Sequence, residues 1–180
     1  PATLTFDGEE RGLYVHVPAG LDAAEAPPLL IALHPSSSSG QSLAIMIGLD
    51  AVADEVGFVA VYPNSSGYTW GEDASDTEGA DDVGFIAALI DTMAETYGTD
   101  SEQVYLTGFG NGGLMAYRLA CETPGLFEGI AVVGSHMWGY QREHCPEEVE
   151  APVNLLIING TENHIYRAET YQFTSRWNDD

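Results

Sequence analysis

The chain has 180 residues and carries 28 acidic side chains against five arginines and no lysine, a formal charge of -23 at neutral pH. Such a polyanion is a poor partner for nucleic acid or an anionic membrane surface, and no apolar run reaches the length a transmembrane helix needs. The length suits a single domain, residues 1–180, with a substantial core.

The start carries no basic stretch followed by an apolar one, so a soluble chain is expected, already processed if it is exported. The charge also points to a saline setting. Self-repulsion is screened within about 3 Å in molar salt against about 10 Å at 0.1 M. The melting temperature is therefore expected to rise across a sodium chloride series, and a flat or falling trend would contradict this.

Taken in chain order, Thr3 to Phe6 and Gly12 to Val17 read as a hairpin turning at Asp7-Gly8, with Leu13, Val15 and Val17 alternating against Tyr14 and His16. Pro27-Pro28 introduces Leu29 to Leu33, apolar on both faces and so a buried parallel strand. One helix is predicted from about Gln41 to Val56, closing at Gly57, and then a buried strand from Phe58 to Tyr62 that Pro63 ends. Asn64 to Ala80 reads as a polar surface loop holding Tyr68 and Trp70.

Asp81-Asp82 place carboxylates at the positive end of the next helix, with Val83, Phe85, Ile86, Leu89, Ile90 and Met93 as its buried stripe and Gly98 as its stop. Strands follow at Gln103 to Thr107, Gly129 to Val133 and Val153 to Ile158, and a last amphipathic helix near Ala168 to Trp177. Strand and helix alternate throughout, which calls for a mostly parallel sheet with helices on both faces. Ligands gather at the carboxyl ends of such strands, which here carry His34, Asn64, Gly110, His136, Asn163 and His164.

The most informative segment is Gly108-Phe109-Gly110-Asn111-Gly112. A β-branched and aromatic run precedes it, and Leu114, Met115, Tyr117 and Leu119 follow at helical spacing. Strand, sharp glycine turn and helix form the frame of a nucleophile elbow, yet the central position, where G-x-S-x-G has serine, is Gly110. An ordinary glycine-rich loop is the plainer reading. Cys121 and Cys145 are either two unrelated thiols or a pair, since a helix end and a loop permit a bridge.

The order of these pieces resembles the α/β-hydrolase esterases of the polyhydroxybutyrate depolymerase and feruloyl or acetylxylan esterase group. It rests on Leu33-His34, Ala53-Asp54 with Gly57-Phe58 and Tyr62-Pro63, Trp70, Asp81 to Ile86, the elbow with Asn111-Gly112-Gly113, Ala120-Cys121 and Gly160-Thr161. The resemblance implies a secreted carboxylic-ester hydrolase lineage acting on polyesters or plant cell-wall esters, with a Cys121 to Cys145 bridge. It also marks departures. Gly110 stands where the group has its serine, Asn163 stands where it has its acid, and Pro35 follows Leu-His where it has glycine. The group's catalytic histidine lies beyond a further strand, whereas this sequence reaches Asp180, so the fold is expected to be C-terminally short.

Candidate catalytic positions are thus Gly110, Asn163, His136 and His164, with backbone donors of Ser36 and Asn111 at a would-be oxyanion hole. His34, Trp70, Met137 and Trp138 are candidates for a substrate cleft, although a tryptophan is as readily core. Ser36 to Ser39 offer hydroxyls but read as a solvated turn. His34, His136 and His164 beside Glu162 could form a metal-dependent site, yet no short zinc motif is present, and no cofactor is expected. An ester or polymer ligand in the cleft is the expected partner. Two functions compete: a hydrolase with a rearranged site, and a non-catalytic pseudo-hydrolase that binds a ligand, a partner or copies of itself.

Overall fold

A computed structural model describes residues 2–21, 26–76, 79–143, 145–146 and 153–163. The sheet is built from β1 (Ala2–Phe6), β2 (Glu9–His16), β3 (Leu29–Leu33), β4 (Val59–Pro63), β5 (Val104–Phe109), β6 (Gly129–Val133) and β7 (Asn154–Ile158). Its seven strands run in the order β1-β2-β4-β3-β5-β6-β7. Both pairings of β2 are antiparallel and all the others are parallel, as the alternating pattern requires.

The helices are α1 (Gly40–Ile47), α2 (Leu49–Val56), α3 (Asp82–Tyr97), α4 (Asn111–Glu122) and the short α5 (Gly139–Glu143). Residues of α3 and α4 share a core with Leu29, Ile31, Leu33, Leu106 and Val132, whereas Leu43, Ala44 and Ala53 of α1 and α2 join Ala32, Ala60 and Tyr62. Successive side chains of a strand point to opposite faces, so the alternation within β3 sends Ile31 to one layer and Ala32 to the other. The described helices therefore lie on both faces of a mostly parallel sheet, the α/β-hydrolase arrangement.

Three expectations are corrected, and one short helix is added. The single helix from Gln41 to Val56 is two, because Gly48 adopts φ 62°, and its N–H closes α1 onto the Ala44 carbonyl at 3.1 Å. Pro63 lies inside β4 rather than after it, and α5 was not foreseen. Trp70, placed by the sequence reading in a surface loop, is 1% exposed and belongs to the core. The helix near Ala168 to Trp177 lies outside the described residues.

Cys121 and Cys145 form a disulfide across a sequence separation of 24 residues, with Cα atoms 4.7 Å apart. Closing a loop of that length removes about 3 kcal/mol of chain entropy from the unfolded state. Reduction should lower stability by that order in urea titrations with and without dithiothreitol. Coincident curves would show that the bridge contributes nothing.

Candidate functional site

The turn between β5 and α4 is fixed by close backbone approach. A Cβ on Gly108 would lie 2.1 Å from the Gly112 carbonyl oxygen, and one on Gly112 would lie 2.4 Å from that of Leu33, so both positions exclude a side chain. Between them Gly110 adopts φ 53° and ψ -116°, a conformation that glycine enters without steric cost. Its N–H donates to Val133 O at 3.0 Å, and its carbonyl accepts from Leu114 N and from the Ser135 hydroxyl. The elbow is thus formed in full. A Cβ at Gly110 would meet only Pro35 Cβ at 3.4 Å, so there is space for a side chain, although φ 53° would strain any residue other than glycine.

Asn111 opens α4, and its side chain is fully engaged. Its Oδ1 accepts from Trp70 N at 2.6 Å, while Nδ2 donates to Trp70 O at 3.2 Å and to Glu72 Oε2 at 2.9 Å. What it can offer a ligand is its backbone N–H in the first helical turn, where donors point out of the helix. Gln141 extends the mesh by donating to Glu72 O and Leu114 O, and Arg118 donates to Gly71 O at 2.6 Å. Segment 70–73 is thereby held to α4 through polar groups.

A second anchor lies beneath that segment. Arg11, on β2, pairs with Asp82 at 2.6 Å, both side chains being almost fully buried, and donates to Asn64 O through Nε and Nη2. Its guanidinium lies 3.6 Å from the Phe85 ring centroid and 5.5 Å from that of Trp70. Asp82 in turn accepts from Gly71 N at 2.8 Å. Burial pulls the Arg11 pKa below its ordinary value while Asp82 opposes the shift.

His34 is 1% exposed and engages both ring nitrogens. Nε2 takes the Ser65 N–H at 3.1 Å, which leaves Nδ1 to donate to Pro35 O at 2.8 Å and defines a neutral tautomer. Neither nitrogen is left to bind a metal. Burial holds its pKa below the ordinary value, with the Pro35 hydrogen bond opposing. A base whose folded pKa is depressed makes the unfolded state the better proton acceptor below pH about 6.5, so its stabilisation is present above that pH and lost as pH falls through it. The melting temperature of the unmodified chain should therefore drop more between pH 7 and pH 5 than that of a His34→Gln variant. Parallel profiles would contradict this.

The structure places the remaining candidates unevenly. His136 is buried directly after Ser135, the residue that contacts the elbow, and its Nδ1 lies 3.4 Å from Asn159 Nδ2. Met137 and Trp138 are half-buried beside it, and Trp138 N donates to Gln141 Oε1. Trp70 does not face a cleft: its ring is buried and Nε1 donates to His34 O at 3.0 Å. Ser36 is exposed in the turn after β3, whereas Ser39 Oγ caps α1 by accepting from Ser42 N. Asn163 sits in the turn after β7, its N–H bonded to Gly160 O, with Glu162 exposed next to it, and His164 lies outside the described residues. Among the described residues no cluster of histidines, cysteines and carboxylates could hold a metal ion.

Arg11, Ser135, Gln141 and Glu72 were not singled out by the sequence reading. Arg11 alone carried a signal, as one of five cations in a chain of charge -23 and in phase with the buried Leu13.

The sheet order and the elbow define an α/β-hydrolase fold. The chain belongs to the family described as Esterase PHB depolymerase, whose family model matches residues 12–145. It is similar to feruloyl esterase B of Thermothelomyces thermophilus, 33% identical over 133 residues that make up 71% of this chain and 45% of the relative. It is also similar to acetylxylan esterase A of Emericella nidulans, 31% identical over 68% of this chain and 42% of the relative. The structure of an acetyl xylan esterase from Aspergillus awamori superposes with a TM-score of 0.59 at 26% identity, covering 68% of this chain and 46% of that one. A thermostable esterase reaches a TM-score of 0.71 over 93% of this chain and 48% of that one, a likeness of fold alone at 16% identity. The chain thus spans less than half the length of the relatives it matches.

Proposed function

We propose that this chain is a non-hydrolysing member of the esterase lineage that holds a neutral ester or ester-bearing polymer at the elbow. The observation that carries this reading is Gly110: the turn is built, and no hydroxyl stands at the position where acyl transfer needs one. The nearby hydroxyl, that of Ser135, is fully buried and donates to the Gly110 carbonyl, so it is not a free nucleophile. Loss of the serine costs a serine hydrolase about a millionfold in turnover, which leaves only a residual rate from binding and backbone donors. Met137 and Trp138 supply apolar surface, Asn111 and Ser36 backbone N–H donors, and Asn163 and His136 polar groups at the strand ends.

The disulfide supports folding outside the reducing cytosol, and hence an extracellular protein. The family names acetylxylan esterase and feruloyl esterase support cell-wall esters as ligands, and the PHB depolymerase description supports polyesters. The charge of -23 supports uncharged ligands over anionic ones.

The test compares p-nitrophenyl acetate hydrolysis by the chain and by a heat-denatured control, together with thermal shifts induced by acetylated xylo-oligosaccharides and 3-hydroxybutyrate oligomers. At most a slow excess of hydrolysis over the control, far below serine-esterase turnover, and a concentration-dependent rise in melting temperature with either oligomer are expected. Saturable hydrolysis at serine-esterase turnover, or no shift with any oligomer, would overturn the reading.

A further inference from the structure

Tyr68 is 82% exposed, the most exposed aromatic side chain among the described residues. Single exposed apolar residues are common and need no explanation by themselves. What sets Tyr68 apart is the rigidity of its support. On one side Ser65 N donates to His34 Nε2, and Ser65 Oγ donates to Gly67 O at 2.7 Å. On the other side Trp70 is buried and donates to the carbonyl of the same His34. Between these anchors the Tyr68 carbonyl accepts from Ser37 N at 2.7 Å, and Ser37 holds φ 56°, a left-handed conformation uncommon outside glycine. The six residues from Ser65 to Trp70 are thus tied to the loop after β3 at Ser65, Tyr68 and Trp70, and the aromatic ring in their midst is turned to solvent. Ser37 is two residues from Pro35, whose Cβ is the atom a Gly110 side chain would meet.

An exposed aromatic ring on a loop whose backbone is anchored, and joined through Ser37 to the segment that meets Gly110, is a platform for a flat partner. The C–H face of a pyranose ring is apolar and matches the negative face of an aromatic ring, while its hydroxyls find donors and acceptors at the rim. Here the rim is supplied by the exposed Ser36, Ser37 and Ser38. The net charge of -23 disfavours a uronate-rich or otherwise anionic polymer. Resting on the function proposed above, we infer that Tyr68 is the stacking platform for one sugar ring of a neutral polysaccharide whose esterified side group reaches the elbow.

The test is calorimetric titration of the full chain with xylohexaose, alongside Tyr68→Ala and Tyr68→Trp. The side chain touches solvent, so both variants should melt with the unmodified chain. Alanine is expected to weaken binding about tenfold and tryptophan to preserve it. Equal affinity of the alanine variant, or no binding of xylohexaose to the unmodified chain, would overturn the inference. If 3-hydroxybutyrate oligomers bind while xylohexaose does not, the platform falls and the ester-binding reading stands. If neither binds, the platform falls, and the ester-binding reading falls with it only if acetylated xylo-oligosaccharides also fail to bind.

Discussion

Replacing Asp82 with alanine is expected to destabilise the chain by about 3–5 kcal/mol, because it leaves a buried arginine without its counter-charge. Arg11 and Asp82 meet at 2.6 Å with side chains 3% and 2% exposed, so water cannot take the carboxylate's place without opening the core. The loss reaches the site as well. Asp82 also accepts the Gly71 N–H, and Gly71 adjoins Trp70, whose backbone is clasped by Asn111 at the head of α4. Replacing both partners, Arg11→Met with Asp82→Leu, should recover most of the stability, since a buried ion pair is often matched by apolar residues of similar volume. Urea denaturation of the single and double variants checks this. A cost below 1 kcal/mol for Asp82→Ala would show that the pair is solvated.

Gly110→Ser is expected to restore an oxygen without restoring an esterase. The site has room for the side chain, whose Cβ would meet Pro35 at 3.4 Å, but the backbone at φ 53° penalises any residue with a Cβ by about 1 kcal/mol. The chemical deficit is larger. Acyl transfer needs a base within hydrogen-bond reach of the hydroxyl and an acid to orient that base. His34 has both nitrogens engaged, and Asn163, which the family resemblance puts where the acid would stand, carries no charge. Ester turnover by Gly110→Ser should therefore stay within about tenfold of the unmodified chain, against the millionfold that an intact triad supplies. Turnover a thousandfold higher would show that His136 already stands within reach as base.

The elbow was legible in the sequence because three glycines at alternate positions between an apolar strand and a periodic helix admit few other geometries, and Gly108 and Gly112 do meet backbone at distances no Cβ survives. The disulfide was legible only through the family resemblance, since two cysteines alone define no pairing. The break at Gly48 was missed because the apolar run Leu43 to Val52 continues in helical phase across it, and a glycine inside such a pattern does not announce which φ it takes.

The polar mesh was out of reach for a different reason. Arg11 and Asp82 are joined across 71 positions of sequence, and Asn111 reaches Trp70 across 41, so local pattern carries no record of either contact. Trp70 looked like a cleft residue because its neighbours are polar and glycine-rich, but those polar groups bond inward to α4 and carry the ring into the core with them. Three histidines at strand ends suggested a metal, and only the hydrogen bonds of His34 show that one of them is unavailable.

The most direct test of the vacant elbow is covalent labelling of the unmodified chain with a fluorophosphonate probe, read by intact mass and peptide mapping. Such probes need an activated hydroxyl, and the residue at the turn has none. No adduct is expected, whether at neutral or mildly alkaline pH. A stoichiometric adduct mapped to Ser135 or to one of Ser36 to Ser39 would contradict the account and place a working nucleophile beside Gly110.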